Sequence, residues 1–297
     1  MLVASLNSET YLKRIQAYIA RMPSLSTTVT KVLETCNDPM ASPHDLNRVI
    51  SLDPVLTGQV LRLINSAYYA LPHAITSLPR AIIMLGLNTV KNLSLSLAIL
   101  DTMGGRGFAR TISVNDFWAH CLCVGVTAKC LFEIKGASRS SCEDIFIAGL
   151  LHDLGKIPLS KQFPEQYLKT LKHSGHDQQP LVHAENETFG VDHCGVGGLI
   201  AEKWQLGKAL VQSLACHHDP DEAEPDDRLF VAIVALANRF ANLWQIGSSG
   251  DAFEDPAMMV GFLAQADVDE SVGDDLRERV LEEIEKAKIF LEISRRG

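Results

Sequence analysis

Helix-start signals recur along this chain at short intervals, while the alternating pattern of a half-buried strand is nearly absent. Ser42-Pro43-His44-Asp45 sets out a capping hydroxyl, a proline at the first helical position and an acid at the third, ahead of Leu46, Val49 and Ile50. Asp53-Pro54 repeats the signal before Leu56, Val60, Leu61 and Ile64, and Ser77-Leu78-Pro79 opens a further helix. Val29, Val32, Leu33 and Cys36 fall at i, i+3, i+4 and i+7, one face of a helix. Leu and Ser alternate at 93–97, yet Val90, Leu93 and Leu97 keep helical spacing from Asn88 to Leu100. An all-α chain is expected. With 46% hydrophobic residues over 297 positions, it can bury the core of one large domain or two ordinary ones.

Gly104-Gly105-Arg106-Gly107 interrupts the pattern and is the expected boundary between an N-terminal helical half, 15–103, and a second half, 108–245. Further breaks are expected at Lys172 to Pro180, at the acidic Asp219 to Asp227 and at Gly247 to Pro256. Residues 246–297 then form a loop and a charged amphipathic helix with Leu276, Val280, Ile284, Ala287 and Leu291 on one stripe. That stripe suits docking on its own domain, or contact with a partner or with a second copy in a homodimer.

Charge and thiols restrict the partners. A formal net charge of −9 gives no basic excess with which to displace counterions from nucleic acid, so no nucleic-acid partner is expected. The longest apolar run, Leu229 to Ala237, is too short to span a bilayer, and no membrane association is expected. The seven cysteines are odd in number and contain no Cys-x-x-Cys, which suits free thiols in a reducing cytoplasm.

Eight of the ten histidines lie between His120 and His218. His173, His176 and His183 fall in or beside an expected loop and should be solvated. The others sit on apolar faces. His120 shares the face of Phe117 and Val124, and His152 follows Ile145 and Ala148 at helical spacing. His193 precedes Val196 and Ile200 behind the N-cap Asp192, and His217-His218 closes the helix of Leu210, Val211 and Leu214. A single buried histidine is commonly a satisfied core residue. Five from four segments, together with Asp153, would cost roughly 1–3 kcal/mol for each group left unsatisfied, so a shared polar pocket or metal is expected. Adjacent His152 and Asp153 point about 100° apart on a helix, so an ion bound by both must sit over the helix end, where Gly155 suits a stop. Lys156 is one turn away and suits either a phosphate contact or a pair with Asp153.

These residues resemble the HD metal-dependent phosphohydrolase superfamily, and more closely its signalling relative, the HDOD domain. The resemblance runs over roughly residues 15 to 245. It is carried by Met22-Pro23-Ser24-Leu25-Ser26, by Ile50 to Leu56 with Val60 to Ala67, by Ile75 to Ile82 with Leu85-Gly86, by Phe117-Trp118-Ala119-His120, by Gly149 to Lys156, by Glu185 with Phe189 to His193, and by Trp204 and His217-His218. It implies a helical bundle packed on an HD-like bundle, and a regulatory role more often than an enzymatic one. It implies His120, His152 and Asp153 as metal ligands, with His193, His217, His218 and Glu185 matching the further ligands of two-metal relatives. The ion could be Fe, Mn, Zn, Ni or Mg.

The closing aspartate of the HD set should fall on the inward face of the helix from Leu229 to Asn242, and the residue there is Asn238. A neutral amide is a poor metal ligand beside a carboxylate and cannot serve as a base. The Gly-Tyr-Pro element of cyclic-di-GMP phosphodiesterases is replaced by Asp219-Pro220, which disfavours that activity. Two functions remain expected. One is a signalling module that binds a regulatory protein or a small phosphorylated ligand through a partly preserved metal site. The other is a metal-dependent phosphohydrolase acting on a phosphate ester or nucleotide.

Overall fold

The computed structural model describes residues 8–38, 40–103, 111–251 and 256–294. Among them there is no strand. The helices are α1 (Ser8–Arg21), α2 (Thr27–Asn37), α3 (Pro43–Ile50), α4 (Pro54–Ile64), α5 (Leu78–Leu85), α6 (Leu87–Met103), α7 (Val114–Ile134), α8 (Arg139–Leu151), α9 (Lys156–Gln162), α10 (Pro164–Asp177), α11 (Leu181–Phe189), α12 (His193–Lys203), α13 (Lys208–Cys216), α14 (Arg228–Leu243), α15 (Pro256–Ala266), α16 (Gly273–Ala287) and α17 (Ile289–Ser294). The expected boundary at Gly104 to Gly107 lies outside the described residues.

The start signals act as their chemistry requires. Ser42 Oγ accepts from the Asp45 N–H at 3.3 Å while Asp45 Oδ2 accepts from the Ser42 N–H at 3.1 Å, a reciprocal cap worth about 1 kcal/mol. Asp53 Oδ1 accepts from the Leu56 N–H at 2.9 Å. The expected break at Lys172 to Pro180 is shorter than its polar sequence suggests. Helix α10 continues to Asp177 and ends only at Gln178, whose φ of 52° is left-handed. His173 and His176 are therefore on a helix, and both are solvent-exposed. His183 lies exposed on α11.

Helix α7 is the axis of the second half and packs on α8, α14 and α16. It is long and apolar enough to cross a membrane, but 72% of its apolar window is buried within the protein, as befits a core helix. It meets α8 backbone to backbone through two glycines. A Cβ on Gly149 would stand 2.7 Å from Gly125 Cα, and one on Gly125 would stand 2.7 Å from the Phe146 carbonyl oxygen.

One continuous apolar core runs through both halves. A buried polar cluster ties them further. Glu143 on α8 accepts from Lys129 at 2.8 Å and from the Tyr69 hydroxyl at 3.0 Å, and Lys129 also donates to Tyr68 at 2.9 Å.

The first and last helices each pack on the opposite half. Helix α1 lies on α9, α11 and α12, and α17 lies on α4 and α6. The C-terminal stripe is docked, with Leu276, Val280, Ile284, Ala287, Phe290 and Ile293 buried. At the other end, Lys203 donates to the carbonyls of Ile19, Ala20 and Met22, and Trp204 Nε1 donates to Pro23 O at 3.3 Å. Those contacts give the Met22-Pro23 segment a structural task, since it seats the end of α1 on α12. Lys203→Met keeps the aliphatic stem but removes the donor shared by three carbonyls, of which, among the described residues, Ile19 O alone keeps a backbone partner, the Met22 N–H at 3.0 Å. It should lower stability by about 1–2 kcal/mol in urea unfolding, and an unchanged midpoint would show that water replaces the ammonium.

Candidate metal centre

Four helices deliver the polar pocket, three of them from their ends. His120 projects from α7. His152 caps the C-terminus of α8, and Asp153 and Gly155 form the tight turn into α9. His193 opens α12 behind Asp192, whose Oδ1 accepts from the Gly195 N–H at 2.8 Å. His217 caps the C-terminus of α13, followed by His218. His120, His152, Asp153, His193 and His217 are at most 1% exposed.

Asp153 stands between two pairs of imidazoles. Its Oδ2 is 3.3 Å from His152 Nε2 and 3.8 Å from His120 Nε2. Its Oδ1 is 3.4 Å from His193 Nε2 and 3.7 Å from His217 Nε2. On three of these histidines the other ring nitrogen is engaged by an acceptor. His152 Nδ1 donates to Gly149 O at 2.8 Å, His217 Nδ1 to Ser213 O at 3.1 Å and His193 Nδ1 to Glu185 Oε2 at 2.5 Å. With Nδ1 held in this way, each of these three Nε2 atoms faces inward, as metal-binding histidines require.

Glu185 is placed behind His193. Its Oε2 also accepts from the His193 N–H at 2.8 Å, and its Oε1 accepts from Tyr167 at 2.7 Å. One carboxylate oxygen thus orients His193 and the other is taken by Tyr167. Asn238 is buried on α14, and its Oδ1 has no hydrogen-bond partner among the described residues.

Burial pushes His120 down to about 3 and also lowers His152 and His218, which favours their neutral imidazoles. Burial at His193 is instead outweighed by Glu185 and Cys194, which hold it well above its ordinary value, and burial at His217 is outweighed by Cys194 and Asp153, which bring it up to about 9. Burial alone would raise the Asp153 carboxyl, but His152 and Lys156 hold it well below the ordinary carboxylate range. Buried and unpartnered among the described residues are both nitrogens of His120, His152 Nε2 and Asp153 Oδ1. Orphaned donor atoms converging from separate helices fit a divalent cation. His120, His152 and Asp153 form one group with ligand atoms within 4.8 Å of one another, and His193, Cys194, His217 and His218 form a second.

Lys156 points into this pocket and away from solvent. It is 1% exposed, with Nζ 2.9 Å from Asp153 Oδ2, 2.7 Å from Asp251 Oδ2 and 3.0 Å from Ser249 Oγ. Of its two expected roles, the structure has the pair with Asp153 and no exposed ammonium for a phosphate. Asp251 and Ser249 escaped the sequence reading because their segment is a Ser/Gly loop far along the chain. Cys194 escaped because its buried position resembled an inert thiol.

A family model described as HDOD domain matches residues 22–220. The chain belongs to the HDOD family. An HDOD domain protein of unknown function from Geobacter sulfurreducens is similar over 95% of this chain and 98% of its own, with a TM-score of 0.74 and 24% identity. A candidate phosphohydrolase from Shewanella amazonensis SB2B is similar over 95% and 97%, with a TM-score of 0.67 and 21% identity. At these identities the likeness establishes the shared HDOD fold. An uncharacterised protein of Treponema pallidum is 23% identical over 222 residues, which is 73% of this chain. The HDOD chain spans 41% of that relative's length.

Proposed function

We propose that this HDOD protein is a cytoplasmic regulatory module, one that keeps a divalent metal in a partly preserved HD pocket and acts by binding rather than turnover. The observation that carries the reading is the commitment of Lys156. The lysine beside the HD pair is buried and bonded to two carboxylates and a hydroxyl, so its ammonium is already committed when a phosphoryl group arrives. Asn238, in place of the closing carboxylate, supports the same conclusion.

His120, His152 and Asp153 would hold the ion, with His193 and His217 across the carboxylate. When bound, a divalent ion would supply Lewis acidity and a point of attachment for four helices. An imidazole-rich donor set suits zinc, iron or nickel better than magnesium. The binding partner is a regulatory protein or a small phosphorylated ligand. All seven thiols are free, as suits the cytoplasm.

Phosphohydrolase activity is the second reading, and one observation favours it. A cavity of about 370 Å³ beside His218 is lined by Asp192, Cys194, Asp219 and Arg239, and it would admit a small ligand to the edge of the pocket.

Protein purified without chelator should carry stoichiometric metal by elemental analysis. It should release no phosphate from generic phosphomonoesters, phosphodiesters or nucleotides after loading with Mn, Fe or Mg. Turnover that disappears in His152→Ala and Asp153→Ala would overturn the regulatory reading.

A further inference from the structure

The second donor group contains a thiol that the HD pattern does not supply. His193 and Cys194 are consecutive at the N-terminus of α12, and His217 and His218 are consecutive at the C-terminus of α13. The two helices pack against each other, so two dipeptides at opposed helix ends face one another. Consecutive residues diverge on the side of a helix, but at its end they can aim at a common point beyond the axis.

The spacings bracket those of ligands around one ion. A tetrahedral ion with nitrogen at about 2.05 Å and sulfur at about 2.3 Å sets its ligand atoms about 3.3 to 3.6 Å apart. His193 Nε2 and His218 Nε2 are 3.1 Å apart, and Cys194 Sγ is 3.9 Å from His217 Nε2. Cys194 is 5% exposed, and the cavity of about 370 Å³ that reaches it and His218 is a route by which an ion can enter.

We propose that Cys194 is a thiolate ligand, making a three-histidine, one-cysteine centre with His193, His217 and His218 that selects a borderline cation such as zinc or ferrous iron over magnesium or manganese. The proposal rests on the reading that this pocket binds metal. The thiolate supplies the selectivity, because sulfur favours softer ions than carboxylates do.

The test is titration of the full chain, stripped of metal and reduced, with Co(II). Near-ultraviolet absorption reports sulfur-to-cobalt charge transfer, and equilibrium dialysis counts the ions bound. A charge-transfer band that saturates with binding, persists in the Cys121→Ala/Cys216→Ser double variant and vanishes in Cys194→Ser supports the proposal. The double variant removes the cysteines next in sequence to His120 and His217, so a retained band excludes those two thiols as its source even if Cys194→Ser does not fold. Cobalt bound without the band, or a band lost in the double variant, overturns the thiolate ligand while leaving the metal site standing. No cobalt bound at all overturns both.

Discussion

Gly155→Ala should lower stability by about 4 kcal/mol or more and abolish metal retention together with it. The cause is contact rather than backbone freedom. Gly155 has φ −63° and ψ −21°, a conformation open to every L-residue. A Cβ there would overlap the His193 carbonyl oxygen and stand 2.7 Å from the Gly197 N–H nitrogen. Both are backbone atoms of α12, so no side chain can turn aside. The turn that carries His152 and Asp153 would have to lift off the helix that carries His193. The sequence reading assigned Gly155 to a helix stop. The structure shows a turn packed against a neighbouring backbone, and such a contact leaves no trace in local sequence. Gly58→Ala is the matched comparison. It lies inside α4 with nothing within 4 Å of the new Cβ, and it should stabilise by about 0.5–1 kcal/mol. Thermal or urea unfolding of the two variants, with metal content measured alongside, decides the matter. Wild-type stability in Gly155→Ala would mean that α9 and α12 are not held at this separation.

Lys156→Met should cost about 3–5 kcal/mol, because it leaves Asp153 and Asp251 buried without their shared cation. Added metal should recover part of the loss by compensating Asp153, whereas it should not rescue Gly155→Ala. Asp251→Asn in the Lys156→Met background should recover a further part. The pH dependence has a definite sign. Burial alone would raise the Asp251 carboxyl, but Lys156 outweighs it and holds the group below its ordinary value. A carboxyl lowered on folding contributes stability above about pH 4 and loses that contribution as pH falls through the depressed folded value. Lys156→Met should therefore narrow its deficit from wild type in acid. Paired denaturation curves from neutral pH down to about pH 3 would test this, and a deficit under about 1 kcal/mol throughout would mean that the trio is solvated.

Much of the fold was legible because helix ends are written locally. Ser42, Asp53 and Asp192 each cap the helix that their neighbours announce. The histidines were legible because apolar faces have no packing use for imidazole. Contacts between distant segments were not. Asp251 meets Lys156 across 95 positions of sequence, and nothing in a Ser/Gly stretch marks it as the counter-charge of a buried lysine. The extent of α10 was obscured by the polar run His173-Ser174-Gly175-His176, which carries no apolar period. Helix α1 was equally silent, since its stripe of Tyr11, Ile15 and Ile19 specifies burial without naming the partner.

The crossed seating of the terminal helices bears on how the molecule is made. Lys203 cannot grip the end of α1 until 184 further positions have been synthesised, and α6 waits for α17 far downstream. Closing such long loops is slow relative to local helix formation, and apolar faces stay open meanwhile. Neither half completes its burial on the ribosome without the other. Fragments cut between α6 and α7 would each lack one covering helix, so refolding should proceed as a single late, cooperative step.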